Sequence, residues 1–181
     1  MVRAAIQGGA SVVQLRDKKA SRRQLVDSAK ELLRVTRPLG VPLIMNDDTD
    51  AAQESGCDGV HLGQDDGPLA AARKILGPGS IIGRSTHSPE QAKAAELEGF
   101  DYIGVGPVFG TPTKPTYTPV GLELVKFAAA NIKIPFVAIG GIDASNIEQV
   151  RSAGAKTVAA VRAVMSARDP EAAAKQLRRL F

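Results

Sequence analysis

The sequence predicts an α/β fold of repeated strand and helix units around a parallel sheet, and three observations carry that expectation. Short apolar runs alternate with amphipathic stretches from end to end, most of those runs are apolar at every position, and a small-residue turn recurs just before several of them. Parallel neighbours need a crossover, for which a helix is the usual solution, and continuous apolar runs suit strands covered on both faces. The recurring turn reads Gly8-Gly9-Ala10, Gly56-Cys57-Asp58, Gly99-Phe100-Asp101 and Gly154-Ala155-Lys156. Each suits the close of a helix, where glycine takes left-handed dihedrals and lets the chain enter the next strand at once.

In order, a helix over Val2 to Gln7 precedes a strand at Ser11 to Leu15. Ser21 with Gln24, ahead of Leu25, Leu32 and Leu33, has the pattern of a capping box. Gly40 and Pro42 end that helix and open a strand at Val41 to Met45, followed by strands at Gly59 to Leu62 and Ile81 to Gly83. Pro68 and Pro89 suit the first turn of the intervening helices. Strands at Tyr102 to Val105, Phe136 to Ile139 and Thr157 to Val161 complete the set. Seven strands and about eight helices, with a helix first, fit a TIM (β/α)8 barrel that lacks its first N-terminal strand, as a single domain over residues 1–181. An open doubly wound sheet is the runner-up. It is less favoured because polar clusters follow nearly every strand, whereas a doubly wound sheet gathers its ligands at one switch point.

Composition narrows the function. With 44% hydrophobic and 23% charged residues, wholesale disorder and a disulfide scaffold both fall away. The single cysteine, Cys57, cannot form an intramolecular disulfide, and there is neither a signal-peptide core nor an apolar run long enough for a bilayer, so a cytoplasmic protein is expected. The net charge of +4 is scattered, and 4% aromatics with no tryptophan argue against nucleic acid as a partner. Small anionic ligands fit better.

Gln14, Arg16 and Lys18 alternate with Leu15 and Asp17, so three long polar side chains point one way. A guanidinium fork beside a compact ammonium suits a pyrophosphate; a solvated strand end with salt bridges to Asp17 is equally open. The next two strands run into Asn46-Asp47-Asp48 and Gln64-Asp65-Asp66. Carboxylates on adjacent strand ends can share Mg²⁺ with substrate phosphate oxygens, which favours Asp47 and Asp66 as ligands, with Asp48 and Asp65 as helix caps or solvated turns. His61, inside a strand, reads as a packed, hydrogen-bonded residue. Arg84, Ser85, Thr86, His87 and Ser88 follow, offering a cation, hydroxyls and an imidazole at the same rim: Ser88 before Pro89 is an N-cap, His87 is open between proton transfer and structure, and no nucleophile elbow is present. The long loop Gly104 to Lys114 reads as a substrate loop, with Thr111, Thr113 and Lys114 as its polar groups. Gly140-Gly141 before a helix starting near Ser145, together with Val161 and Arg162, suits a phosphate at the place where barrels commonly hold one.

Taken in order, Gln14-Leu-Arg-Asp-Lys18, Asn46-Asp47, Gly59-Val-His-Leu-Gly-Gln-Asp-Asp66, Ser85-Thr-His-Ser88, Gly106-Pro-Val-Phe-Gly-Thr-Pro-Thr-Lys114 and Gly140-Gly-Ile142 closely resemble thiamine-phosphate synthases over essentially the whole chain. The resemblance implies a TIM barrel that joins a hydroxymethylpyrimidine pyrophosphate to a thiazole phosphate with Mg²⁺ present, releasing pyrophosphate. It implies that Gln14, Arg16, Lys18, Asn46, Ser85 and Lys114 hold the pyrimidine pyrophosphate, with Arg16, Lys18, Ser85 and Lys114 catalytic. Asp47 and Asp66 would hold Mg²⁺, and Thr111, Thr113, Gly141, Val161 and Arg162 the thiazole phosphate. Many members carry Ser where Arg162 stands. The family also opens with a strand before the helix represented by Val2 to Gln7. A shortened chain, or one that patches its gap by forming a homo-oligomer, is therefore expected. The rivals are a thiazole tautomerase of the same fold that uses His87, and a catalytically dead phosphate-binding relative.

Overall fold

Residues 1–110 and 118–181 are described by the structure, a computed structural model. In chain order the elements are α1 (Val2–Gln7), β1 (Val13–Leu15), α2 (Arg22–Thr36), β2 (Leu43–Asn46), α3 (Thr49–Ser55), β3 (Gly59–Leu62), α4 (Leu69–Leu76), β4 (Ile81–Thr86), α5 (Pro89–Glu98), β5 (Tyr102–Val105), α6 (Gly121–Asn131), β6 (Phe136–Ile139), α7 (Ile147–Ser152), β7 (Val158–Ala159), α8 (Arg162–Met165) and α9 (Pro170–Leu180). Among the described residues no helix is long and apolar enough to cross a membrane.

Local chemistry sets many of these starts. The capping box of α2 forms as expected, Ser21 Oγ accepting from the Gln24 N–H and the Gln24 side chain accepting from the Ser21 N–H. Asp48 caps α3 through the Ala51 N–H at 2.9 Å, and Ser88 caps α5 through that of Gln91 at 3.3 Å. Pro68 departs from expectation: it stands just before α4, at the N-cap, where it offers no side-chain acceptor. At the other ends, Gly56 and Gly99 close α3 and α5 in the left-handed conformation, which explains two of the recurring turns.

The seven strands form one sheet in the order β1-β2-β3-β4-β5-β6-β7, every neighbouring pair parallel. A sequential order has no reversal and hence no switch point, which rules out the doubly wound alternative. β1 and β7 are the outer strands. Register sorts the side chains into two faces, because partners across a parallel ladder point the same way. Leu43, Met45, Val60, Leu62, Ile82, Ile103 and Val105 share one face and form, with the helices, the buried core. The other face carries Gln14, Asn46, His61, Ser85 and Tyr102 among Gly59, Gly83 and Gly104. The same face also holds Ile44, Ile81 and Val137, so polar groups are set there among apolar ones, which the mostly apolar runs did not disclose. The run at Ile81 to Gly83 also continues to Thr86, so Arg84 and Ser85 belong to the strand and not to the loop after it. Polar side chains hid that extension: Ser85 faces the polar side, while Arg84 and Thr86 stand opposite Ile103 and Val105 on the other face.

Two strand starts are fastened by the same device. Asp58 donates its N–H to the Leu43 carbonyl at 2.9 Å and accepts the Leu43 N–H on its carboxylate at 2.7 Å. Asp101 does the same to Ile82, at 3.0 and 2.7 Å. Each clasp satisfies a donor near the start of a strand, Leu43 opening β2 and Ile82 second in β4, and holds register at the end of the sheet away from the polar clusters.

Candidate active site

The C-terminal ends of β1, β2 and β3 bring the first clusters together. Lys18 Nζ, just past β1, lies 3.2 Å from Asp47 Oδ2. The alternative of salt bridges to Asp17 is not what forms, because the Asp17 carboxylate instead accepts the Lys19 N–H at 2.9 Å. With the Lys18 side chain 60% exposed, the pair adds well under about 1 kcal/mol to stability; its meaning is placement. Arg16 is half-buried at the same rim. Asp47 follows β2 with φ +67°, a left-handed backbone that an aspartate tolerates better than most residues. Its N–H donates to the His61 carbonyl at 2.9 Å, which fixes the strained residue to the neighbouring strand.

Asp66 turns back on its own loop, Oδ2 accepting the Gly63 N–H at 2.6 Å, and its carboxyl reaches that of Asp47. Burial pushes the Asp47 carboxyl above the ordinary aspartate range, the Asp66 carboxylate adds to the shift, and Lys18 opposes it. Among the described residues no group of three or more His, Cys, Asp or Glu converges as a closed metal site. Two hard oxygen donors held against each other suit a divalent cation that completes its shell from substrate and water, as Mg²⁺ does. The chemistry of this donor set therefore fits Mg²⁺. Beside the carboxylates a cleft of about 440 Å³ opens toward Arg22, Asp48, Asp50 and Pro68.

Arg84, expected as a cation at the same rim as Ser85, instead stands on the other face of the sheet, opposite Leu62 and Ile103, and braces this loop from behind. Its guanidinium lies over the Phe100 ring and donates to the Gly67 carbonyl at 2.8 Å and the Gln64 carbonyl at 3.2 Å. Asp48 is a cap, as expected, and also holds Arg22 at 3.0 Å, while Arg22 reaches Asp50 at 3.0 Å.

Across the polar face, His61 is buried and hydrogen-bonded, as its position in a strand predicted. Nδ1 is 2.9 Å from Tyr102 Oη and Nε2 is 2.9 Å from Ser85 Oγ. Two glycines make the room: a methyl at Gly83 would lie 2.1 Å from the Tyr102 ring, and one at Gly104 would lie 3.1 Å from the His61 ring. Tyr102 had no motif to announce it. The available signal was Gly83 in mid-strand, a position where glycine often marks close approach. Nearby, His87 Nδ1 bonds the Gly106 carbonyl, which ties the end of β4 to the loop after β5.

At the far side of the rim, Gly140 and Gly141 have φ +107° and +64°, and the 107–110 loop packs so closely that a methyl at either would strike it. The Ile139 and Gly140 carbonyls accept the N–H groups of Val108 and Phe109 at 2.9 and 3.0 Å. The following helix begins at Ile147, two residues later than the expected start near Ser145. Val161 is exposed and immediately precedes α8. Arg162 interacts with Asp143, whose carboxyl is held below its ordinary range mainly by hydrogen bonds from Ser145. Thr111, Thr113 and Lys114 lie outside the described residues. Gln14, Lys18, Asn46, Asp47, Asp66 and Ser85 are thus linked through neighbouring strands, whereas Gly141, Val161 and Arg162 stand apart from them, past the ends of β6 and β7.

Comparison with known proteins agrees with this arrangement. Residues 1–164 match the family model described as thiamine monophosphate synthase. A thiamine-phosphate synthase of Gloeobacter violaceus is 51% identical over 170 residues, covering 94% of this chain and 50% of that protein. One from Chloroflexus aurantiacus is 49% identical over 181 residues, covering 99% of this chain and 83% of the relative. The chain thus spans about half the length of the Gloeobacter relative. Among solved structures, a thiamine phosphate pyrophosphorylase from Pyrococcus furiosus superposes with a TM-score of 0.90 at 38% identity, covering 99% of this chain and 86% of the other. By its sequence over nearly its full length and by its fold, the chain belongs to the thiamine monophosphate synthase family.

Proposed function

We propose that the chain is a thiamine-phosphate synthase, joining a hydroxymethylpyrimidine pyrophosphate to a thiazole phosphate with release of pyrophosphate. The observation that carries the reading is the meeting of Lys18, Asp47 and Asp66 at three adjacent strand ends, within a chain 49–51% identical to proteins of that name. The C–O bond to the pyrophosphate breaks first, and the electron pair leaves with it. The pyrimidine-stabilised cation is then captured by the thiazole nitrogen, which forms the new C–N bond. Negative charge grows on the departing group, so fixed cations lower the barrier and no strong protein nucleophile is required.

In this reading Arg16 and Lys18 grip the diphosphate, with Lys114 as a third cation, while Gln14, Asn46 and Ser85 orient the pyrimidine end. Mg²⁺ would be held by Asp47 and Asp66 and, when bound, supplies further stabilisation of charge on the diphosphate. The thiazole phosphate falls to Gly141, Val161 and Arg162, with Thr111 and Thr113. We read the sheet as seven strands of a (β/α)8 barrel, supported by its sequential order and by the TM-score of 0.90. A cytoplasmic setting and association between copies belong to the same proposal.

The test is a coupling assay on the purified chain with both substrates, with and without Mg²⁺. Pyrophosphate release that needs both substrates and the metal is expected. Proton exchange on the thiazole with no pyrophosphate released would mean a tautomerase, and binding of thiamine phosphate with no turnover would mean a dead relative.

A further inference from the structure

On the polar face a run of hydrogen bonds crosses neighbouring strands and ends at Ser85. Tyr102 Oη on β5 faces His61 Nδ1 on β3, and His61 Nε2 faces Ser85 Oγ on β4, each at 2.9 Å. The Gln14 side chain reaches the same phenol from β1. Phenol, imidazole and hydroxyl can each donate or accept, so each link alone could run either way. The links are not independent, however. A neutral imidazole has one N–H; if Nε2 donates, Nδ1 accepts, and the reverse choice reverses every neighbour.

The substrate breaks that symmetry. A phosphate or departing diphosphate oxygen has no proton to give, so a hydroxyl beside it must donate. Ser85, once its proton is committed outward, accepts from His61, and His61 in turn accepts from Tyr102. Burial pushes the Tyr102 phenol well above its ordinary value, against the Gln14 hydrogen bond and with help from Asp101, so the proton it must supply is present at neutral pH. Gly83 and Gly104 seat the two rings, which fixes the geometry by packing as well as by polarity.

We propose that His61 and Tyr102 are positioning residues that aim the Ser85 hydroxyl proton at the anionic substrate, through a one-way sequence from Tyr102 Oη to His61 Nδ1 and from His61 Nε2 to Ser85 Oγ. The inference rests on the synthase reading of the site. It assigns no proton transfer to either residue; no bond is made or broken in them during turnover.

The chain has only two histidines, which makes the tautomer directly readable. His87 is an internal reference of the opposite kind, because the Gly106 carbonyl beside its Nδ1 can only accept. Nitrogen NMR of the full chain carrying isotope-labelled histidine, with and without inorganic pyrophosphate, should find one imidazole protonated on Nδ1 and the other, His61, on Nε2. Tyr102→Phe should change only the second signal, to a mixture of both tautomers, and lower kcat about three- to tenfold with KM nearly unchanged. His61→Leu should lower kcat by about tenfold or more, and His61→Gln, which keeps an N–H near the Nε2 position, should recover part of that loss. His61 found on Nδ1, or doubly protonated at neutral pH, overturns the proposal, as does wild-type kcat in His61→Leu. The wild-type spectrum needs no variant to fold. A wild-type chain that never releases pyrophosphate overturns the synthase reading instead, and does so whatever the tautomer.

Discussion

Replacing Gly83 with alanine puts one methyl group against the ring that anchors the polar face. The new carbon would stand 2.1 Å from Tyr102 Cζ, 2.3 Å from Cε1 and 2.6 Å from Oη, where about 3.5 Å is the comfortable approach of carbon atoms. The ring must therefore move by more than an ångström, enough to break its 2.9 Å bond to His61. Overpacking of this kind costs about 1–3 kcal/mol, and the lost hydrogen bond about 1 kcal/mol more. Alanine returns about 0.5–1 kcal/mol by restricting the unfolded chain more than glycine does. A net loss of about 1–3.5 kcal/mol is expected. Urea unfolding followed by circular dichroism at unchanged m-value measures it, and turnover should fall with it because Ser85 loses its support. In a Tyr102→Ala background the same substitution should be nearly free, since the obstructing ring is gone. An equal cost in both backgrounds would refute the reasoning, for it would place the strain in the backbone.

Three further expectations follow from the same geometry. Asp66→Ala should lower turnover about a hundredfold while leaving thermal stability within a few degrees; unchanged turnover at limiting Mg²⁺ removes Asp66 from the metal site. Arg84→Ala releases the Gln64 and Gly67 carbonyls, so a Mg²⁺ titration should shift to higher concentration and kcat fall about tenfold, with Asp66 still present; an unmoved titration refutes the brace. Tyr102 gives an alkaline signature whose sign is fixed by its buried phenol. Above the ordinary value of 10.0 the unfolded chain releases this proton while the folded chain keeps it, so stability declines as pH rises, and Tyr102→Phe should decline less steeply across that range in pH-dependent melts.

What could be read from the sequence was what lies close together along it. The capping box at Ser21 and Gln24 needs only a three-residue spacing, and the Asp48 and Ser88 caps are equally local. The strand-end clusters were legible for a related reason: an apolar run that stops at Asn46 and Asp47 already marks where a strand leaves the core. The polar face was not legible, because it arises from register. Asn46, His61, Gly83 and Tyr102 are matched across four strands although 56 positions separate the first from the last, and no periodicity within one segment shows that they meet. For that reason β4 seemed to end at Gly83, with Ser85 outside it. Arg84 was legible as a cation near the rim but not as a brace, because its partners are backbone carbonyls, which leave no trace in side-chain spacing.

The Asp101 clasp ties the two ends of the molecule to one another. Asp101 grips Ile82, and the next residue along each strand is Tyr102 opposite Gly83. A slip of one residue there would send the phenol among the helices and turn Ile103 toward the substrate side, since neighbouring positions on a strand face opposite ways. A carboxylate at the floor of the sheet, remote from any phosphate, thus governs where a hydroxyl near its mouth can point. Drift of sequence in the floor is therefore not silent for catalysis, even where the fold itself survives it.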